Sequence, residues 1–413
     1  MGTYAMTSVN SFTLDQLMQA VGCPRYPKRW NDIFENAMRR YNQEGCILGQ
    51  ATFYEHLQEK YGCFTEYGDV YTYAASKVNE DEILGRFLVL LSMALSDKEH
   101  KAEDLKEFKR PITPLGKEKA VYEMATGLAV CSQLEGAAEE PTSRGIPKKY
   151  IDNVLLFAVN ATRNYILSHN GEPGYNLLNW SQKYIEGKLF PINRLEMEFF
   201  ATFDAKAMVF RNQAGDIISL AHDIALHRSG YALGSIHFEE EEGAWTAVVK
   251  EDENAWVGYP FKDNGSVAKE TITLSKSEWT LVLQQGDAVV HVHIPPTGKL
   301  SPELIDETLD ETKAFLKEYY PEFHYKAFAC ESWLMDPQLD EMLGEDTNIV
   351  KFSKRFHRLT RKNDGRGVFD FVFHIEDEEI DIQHLPENTT LERKLKQHYL
   401  EGKAIYGCDG FFF

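Results

Sequence analysis

The sequence predicts an α+β protein: an all-helical first part, then a mixed, mostly antiparallel sheet with flanking helices. Three observations carry this. Apolar residues recur at helical spacing over most of positions 1–187. Near Lys188 the pattern changes to alternation, with Leu195, Met197 and Phe199 against Glu196 and Glu198. The chain has 413 residues, long for one core, so two domains are expected, 1–187 and 188–413.

The elements follow in order. Thr13 and Gln16 form a capping box, and Gly22 with Pro24 stops that helix. Helical periodicity continues around 28–43, 50–60, 80–96, 115–134, 147–169 and 175–186. The stretch 135–147 is rich in Gly, Ala, Pro and Ser and reads as an exposed loop. Beyond Lys188, strands are expected at 194–200, 206–211 and 216–220, the last two joined by the turn Asn212-Gln-Ala-Gly215. More are expected at 235–240, 245–250, near Trp256 and at 271–274. Ser275 and Glu278 read as a second capping box, opening a short helix over 279–283. Then come a strand ending in His293, a helix over 302–319, a strand at 326–332 and a helix at 337–343. A strand at 350–352, a half-buried alternating stretch at 368–375 and a terminal helix at 391–401 complete the chain.

Composition narrows the function. With 43% hydrophobic and 12% aromatic residues the chain is a folded globular protein. A formal charge of −20 disfavours a nucleic-acid partner and an anionic membrane surface. The six cysteines are scattered, with no Cys-x-x-Cys, which fits reduced thiols in a cytoplasmic protein. Met1-Gly2 opens like a myristoylation site, but position six is Met6 where Ser or Thr is needed. No signal peptide is expected. The apolar run 83–95 is too short and interrupted to span a bilayer, and reads as a buried helix.

The stretch 287–319 is the most informative. Alternation places Val290, Val292 and Ile294 on one face and Val289, His291 and His293 on the other. Pro295-Pro-Thr-Gly298 ends the strand, Ser301 suits a helix N-cap and Pro302 the first helical turn. Imidazoles beside a loop at a helix start make a plausible ligand mouth. No phosphate loop, dinucleotide fingerprint, zincin or serine-hydrolase motif is present.

Several phrases resemble a known family. They are Gly286-Asp-Ala-Val-Val-His-Val-His-Ile-Pro295, Ser332-Trp-Leu-Met-Asp-Pro-Gln-Leu339, Asn348-Ile-Val-Lys-Phe352 and Leu385-Pro-x-x-Thr-x-Leu-x-Arg393, with Arg194-Leu-Glu-Met-Glu-Phe199 before them. Together they resemble bacterial acyltransferase-like proteins with a helical N-terminal domain and a GNAT-like C-terminal domain, over about 190–413. The resemblance implies an acyl-CoA lying between two splayed strands, its pyrophosphate on backbone N–H groups at a helix N-terminus. The His strand would be the fourth GNAT strand, 326–332 the fifth, and the loop 295–300 the phosphate cradle. Val292, Ile294, Thr297, Gly298, Lys299, Cys330 and Ser332 would then contact the cofactor. The loop departs from the family pattern: it has one glycine, one lysine and two prolines without N–H donors. Glu303, Asp306 and Glu307 in the helix start would repel a pyrophosphate.

The candidate chemistry is as follows. His293 reads as a general base for an amine nucleophile, or as a strand-face histidine that holds the loop. Glu198 reads as a base acting through water, or as a solvated strand face, as does Glu196. His291 with His293 also has the spacing of a metal pair, though the acidic residue of a cupin motif is missing. Cys330 reads as an acyl-accepting thiol or a packing residue. The four acids from Glu239 to Glu242 read as a solvated turn or an amine-recruiting patch. The function expected is transfer of an acyl group from acyl-CoA to an amine acceptor, with no metal, no nucleic acid and no membrane span. The helical domain would shape the acyl or acceptor pocket. A degenerate fold that binds without chemistry, and a cupin-like metalloprotein, remain as alternatives.

Overall fold

The chain divides into two units, Met1–Lys188 and Leu189–Phe413. Its computed structural model describes residues 12–296, 298–375 and 379–413. The Met1-Gly2 start and Thr297 lie outside the described residues.

The first unit is helical. Thr13 and Gln16 form the expected capping box at the helix Leu14–Ala20. The apolar run becomes the helix Glu82–Ser96, opened by Asp81, whose carboxylate accepts from the Leu84 N–H. Leu84, Phe87, Leu88, Leu90 and Leu91 on it are wholly buried. Among the described residues no helix is long and apolar enough to cross a membrane. The stretch 135–147 is not simply a loop: Leu134–Ser143 is a helix with Pro141 inside it. Leu134, Ala137, Ala138 and Pro141 are buried, at the spacing of one helix face. Small residues at those positions hid the period.

The second unit is the mixed, mostly antiparallel arrangement expected. Its strands are β1 Leu189–Ile192, β2 Leu195–Thr202, β3 Ala207–Asn212, β4 Ile217–Ala221 and β5 Ile224–Leu226. Next come β6 Trp245–Ala247, β7 Lys250–Glu251, β8 Ala255–Pro260, β9 Ile272–Ser275 and β10 Trp279–Gln284. The last four are β11 Ala288–His293, β12 Ala327–Ser332, β13 His357–Thr360 and β14 Cys408–Phe412. One sheet runs β1-β2-β11-β12-β14-β13, and only β11 and β12 in it are parallel. A second sheet runs β10-β3-β4-β8-β7, with β9 also on β8.

Four local expectations are corrected. Residues 279–283 are strand, not helix: β10 pairs with β3, because Trp279, Leu281 and Leu283 alternate with period 2 and that pattern outweighs the Ser275 and Glu278 signal. Residues 235–240 form turns, with the Phe238 N–H donating to the Ser235 carbonyl at 2.8 Å. Residues 350–352 lie in the helix Asn348–Ser353. The stretch 368–375 contains a π-helical turn, Phe369–Phe373, packed near Tyr399. The helix Pro302–Tyr319 forms as expected and lies against an aromatic cluster of Phe190, Phe199, Phe315 and Tyr320. That packing fixes the helix whose N-terminus follows the loop after β11.

Candidate active site

The parallel pair β11 and β12 builds the site. The two strands are tied at their start: Lys326 forms an ion pair with Asp287 at 2.7 Å, and its N–H donates to Ala288 at 2.9 Å. They pair as Val289 with Ala327, Val290 with Phe328 and His291 with Ala329, and there the pairing ends. Both strands run on. β11 stays with β2 as far as His293 opposite Glu196, and β12 stays with β14 as far as Ser332 opposite Cys408. The two halves of the sheet therefore part beyond His291, and the backbone groups in the gap have no strand between them.

A bulge decides what faces this gap. Ala201 lies opposite Val289, but Glu198 lies opposite His291, so two residues of β2 face one of β11. Phe200 takes up the extra residue at φ 59. Without the bulge, His291 would meet Phe199 and the carboxylates would fall on the other face. With it, Glu198 and His293 come together: His293 Nε2 is 2.8 Å from the Glu198 carboxylate. The two imidazole rings are 4.8 Å apart, and candidate ligand atoms of Glu198, His291 and His293 lie within 4.8 Å of one another. All three are half-buried.

Across the gap the same face carries Ala329 and Glu331, by the register with His291. Arg361 pairs with Glu331 and reaches Asp409 at 3.3 Å. Burial pushes the Asp409 carboxyl up to about 6, with the Arg361 charge opposing.

With this geometry in place, the likeness to known proteins is specific. Residues 230–412 match the family described as GNAT-like C-terminal domain. The match begins inside the second unit, so Arg194 and Glu198 precede it. The fold of the whole chain resembles an acyltransferase in complex with decanoyl-CoA and teicoplanin, at TM-score 0.61 and 17% identity over 97% of this chain and 98% of that one. It also resembles an acyltransferase mutant in complex with octanoyl-CoA, at TM-score 0.60 and 17% identity over 96% and 98%. A third, an acyltransferase in complex with CoA and 10C-teicoplanin, gives TM-score 0.61 and 16% identity over 97% and 98%. No curated protein matches the sequence.

The other expected cofactor contacts divide. Val292 is 1% exposed and lies opposite Met197, so a ligand in the gap meets its backbone, not its side chain. Ile294 is half-buried just past the strand. Cys330 is 2% exposed and points away from the His293 face, and burial pushes its thiol far up. The thiolate role is therefore corrected: the residue is packing. Ser332 shares the Cys330 face, and its hydroxyl accepts from the Leu334 N–H at 3.1 Å, capping the turn Trp333–Met335. Parity along β12 selects Glu331 for the site face in place of these two.

The loop after β11 is held from below. Arg194, in the turn between β1 and β2, donates through Nε to the Lys299 carbonyl at 3.0 Å and through Nη2 to Pro295 and Gly298, both at 3.1 Å. Ser301 occupies the N-cap position, but its side chain makes no capping bond. Asp306, expected to repel a pyrophosphate, pairs with Arg355 at 2.6 Å, which also holds its carboxyl below the usual range. Arg194, Glu331, Arg361 and Asp409 were not picked out from sequence. Only Glu331 had a signal there, in the parity of its strand.

Proposed function

We propose that the chain transfers an acyl group from an acyl-CoA thioester to a small amine. The observation that carries this reading is the end of β11–β12 pairing at His291, beside the His293–Glu198 pair. A parted parallel pair leaves backbone N–H and C=O groups for the extended pantetheine arm to bind like an added strand. The acyltransferases of similar fold, bound to decanoyl-CoA, octanoyl-CoA or CoA, support the same donor class, and one with teicoplanin bound supports a small-molecule acceptor. A cytoplasmic setting suits this donor, and all six cysteines are unpaired and buried.

The chemistry follows from the side chains. In the tautomer of His293 that donates Nε2–H to Glu198, the basic lone pair of the ring is on Nδ1. The amine nitrogen attacks the thioester carbonyl, and His293 takes the proton it loses. The tetrahedral intermediate collapses, the C–S bond breaks, and the CoA thiolate leaves and takes up a proton. Strand N–H groups in the gap stabilise the oxyanion. Holding donor and amine together supplies much of the rate.

The test is free-thiol release from a panel of acyl-CoAs with amines, together with a thermal shift by CoA. A ligand that binds only the folded chain raises its melting temperature. Lys299→Glu, at the loop, abolishes the expected shift. A CoA-induced shift without thiol release would favour a fold that binds and does no chemistry. No shift at millimolar CoA would remove the acyl-CoA reading.

A further inference from the structure

The loop after β11 lacks the glycine-rich turn that the resemblance to GNAT proteins calls for, and Pro295 and Pro296 have no N–H to offer. Something else must shape it if it is to hold a diphosphate. Arg194 is 9% exposed, reaches the loop from the preceding hairpin and binds three of its carbonyls, those of Pro295, Gly298 and Lys299. Its own N–H donates to Thr308 Oγ1 at 3.3 Å, on the helix that the loop leads into. Its Nη1 is buried and has no partner among the described residues.

Two consequences follow. In a trans peptide the N–H points opposite to the carbonyl, so with the Gly298 and Lys299 carbonyls held by the guanidinium the N–H groups of Lys299 and Leu300 point away from it. Gly298 lies at φ +88, and a Cβ there would sit 3.3 Å from Arg194 Nε. A buried cation with an unused donor is costly, and the Glu196 charge offsets only part of the burial that disfavours it.

We propose that Arg194 is a positioning residue for the donor: it holds the loop at Pro295, Gly298 and Lys299 and supplies the cation that lets this loop take the diphosphate of CoA. The proposal rests on the acyl-CoA reading above. It assigns the work of a glycine-rich turn to a side chain from an earlier hairpin.

The experiment compares donors with and without the diphosphate. Octanoyl-CoA and octanoyl-pantetheine are titrated against the full chain and against Arg194→Lys, which keeps the charge but loses the fork. Arg194→Lys is expected to weaken octanoyl-CoA at least tenfold and octanoyl-pantetheine less than threefold. Gly298→Ala, which strains the same loop and presses a Cβ against the Arg194 side chain while leaving the arginine in place, is expected to show the same selectivity and guards against a poorly folded Arg194 variant. Equal loss for both donors means a merely structural arginine and overturns the proposal, as does no loss for either. If the unmodified chain binds neither donor, the acyl-CoA reading itself fails, and the proposal falls with it.

Discussion

His293 Nε2 lies 2.8 Å from the Glu198 carboxylate, across two strands whose register is shifted by one residue. The pair exists because of the bulge at Phe200. His293→Ala is expected to cut turnover by roughly a hundredfold and leave acyl-CoA affinity unchanged. Glu198→Gln keeps a hydrogen bond but loses the carboxylate, so a smaller loss, about tenfold, is expected. Steady-state kinetics with a fixed amine reads both. Equal turnover of His293→Ala and the unmodified chain would deny the histidine its role.

The sequence made some of this visible. Period 2 in β2 and in β11 put the two glutamates on one face and the two histidines on one face. Parity within a strand does not say which faces meet, and a bulge reverses that relation. Phe200 at positive φ carries no signal, since nothing but register demands it. The helix Pro302–Tyr319 was readable because Pro302 and a long apolar stripe agree. The strand His357–Thr360 was not: it is four residues long, and its pairing with β14 is set by residues about fifty positions away. The helix Asn348–Ser353 was misread as strand because Ile349, Val350 and Phe352 favour either state in so short a run. Arg194 was invisible as a loop anchor, because its partners lie about a hundred residues on.

The aromatic cluster beneath the helix Pro302–Tyr319 gives a stability prediction. Phe199 is fully buried, with Phe190 at 5.3 Å, Tyr320 at 5.5 Å and Phe315 at 5.8 Å between ring centroids. Phe199→Ala leaves a large cavity there and is expected to cost about 3–5 kcal/mol. Urea unfolding of the two chains measures it. A loss under about 1 kcal/mol would mean that the cluster collapses around the gap.

Asp336 gives a pH dependence. It is fully buried beside β14, and its carboxylate accepts from the Tyr406 N–H at 2.7 Å and the Gln338 N–H at 2.8 Å. Burial outweighs these donors and pushes its pKa up to about 7. The folded chain then holds this proton more tightly than the unfolded chain, where the group titrates near 4. Its contribution is fully favourable below about pH 4 and is lost as pH rises through about 7. Asp336→Asn is expected to flatten the fall in stability between pH 5 and pH 8 by on the order of 1–3 kcal/mol. The slope is the readout, since the amide also changes the local hydrogen bonds at every pH. An unchanged slope would mean that Asp336 is ionised throughout this range.

Cys330 separates direct transfer from a covalent acyl-enzyme. A thiol nucleophile must reach the thioester and ionise near neutral pH. Cys330 does neither: it is 2% exposed, lies on the face opposite His293, and burial holds its thiol protonated. Direct attack by the amine needs no such residue. Cys330→Ala is therefore expected to keep turnover within about threefold, with a stability loss of roughly 1 kcal/mol for the missing sulfur. Mass spectrometry of the chain incubated with octanoyl-CoA alone should find no acyl adduct at this position. A stable adduct on Cys330, lost in the alanine variant together with turnover, would replace direct transfer by a two-step route through the thiol.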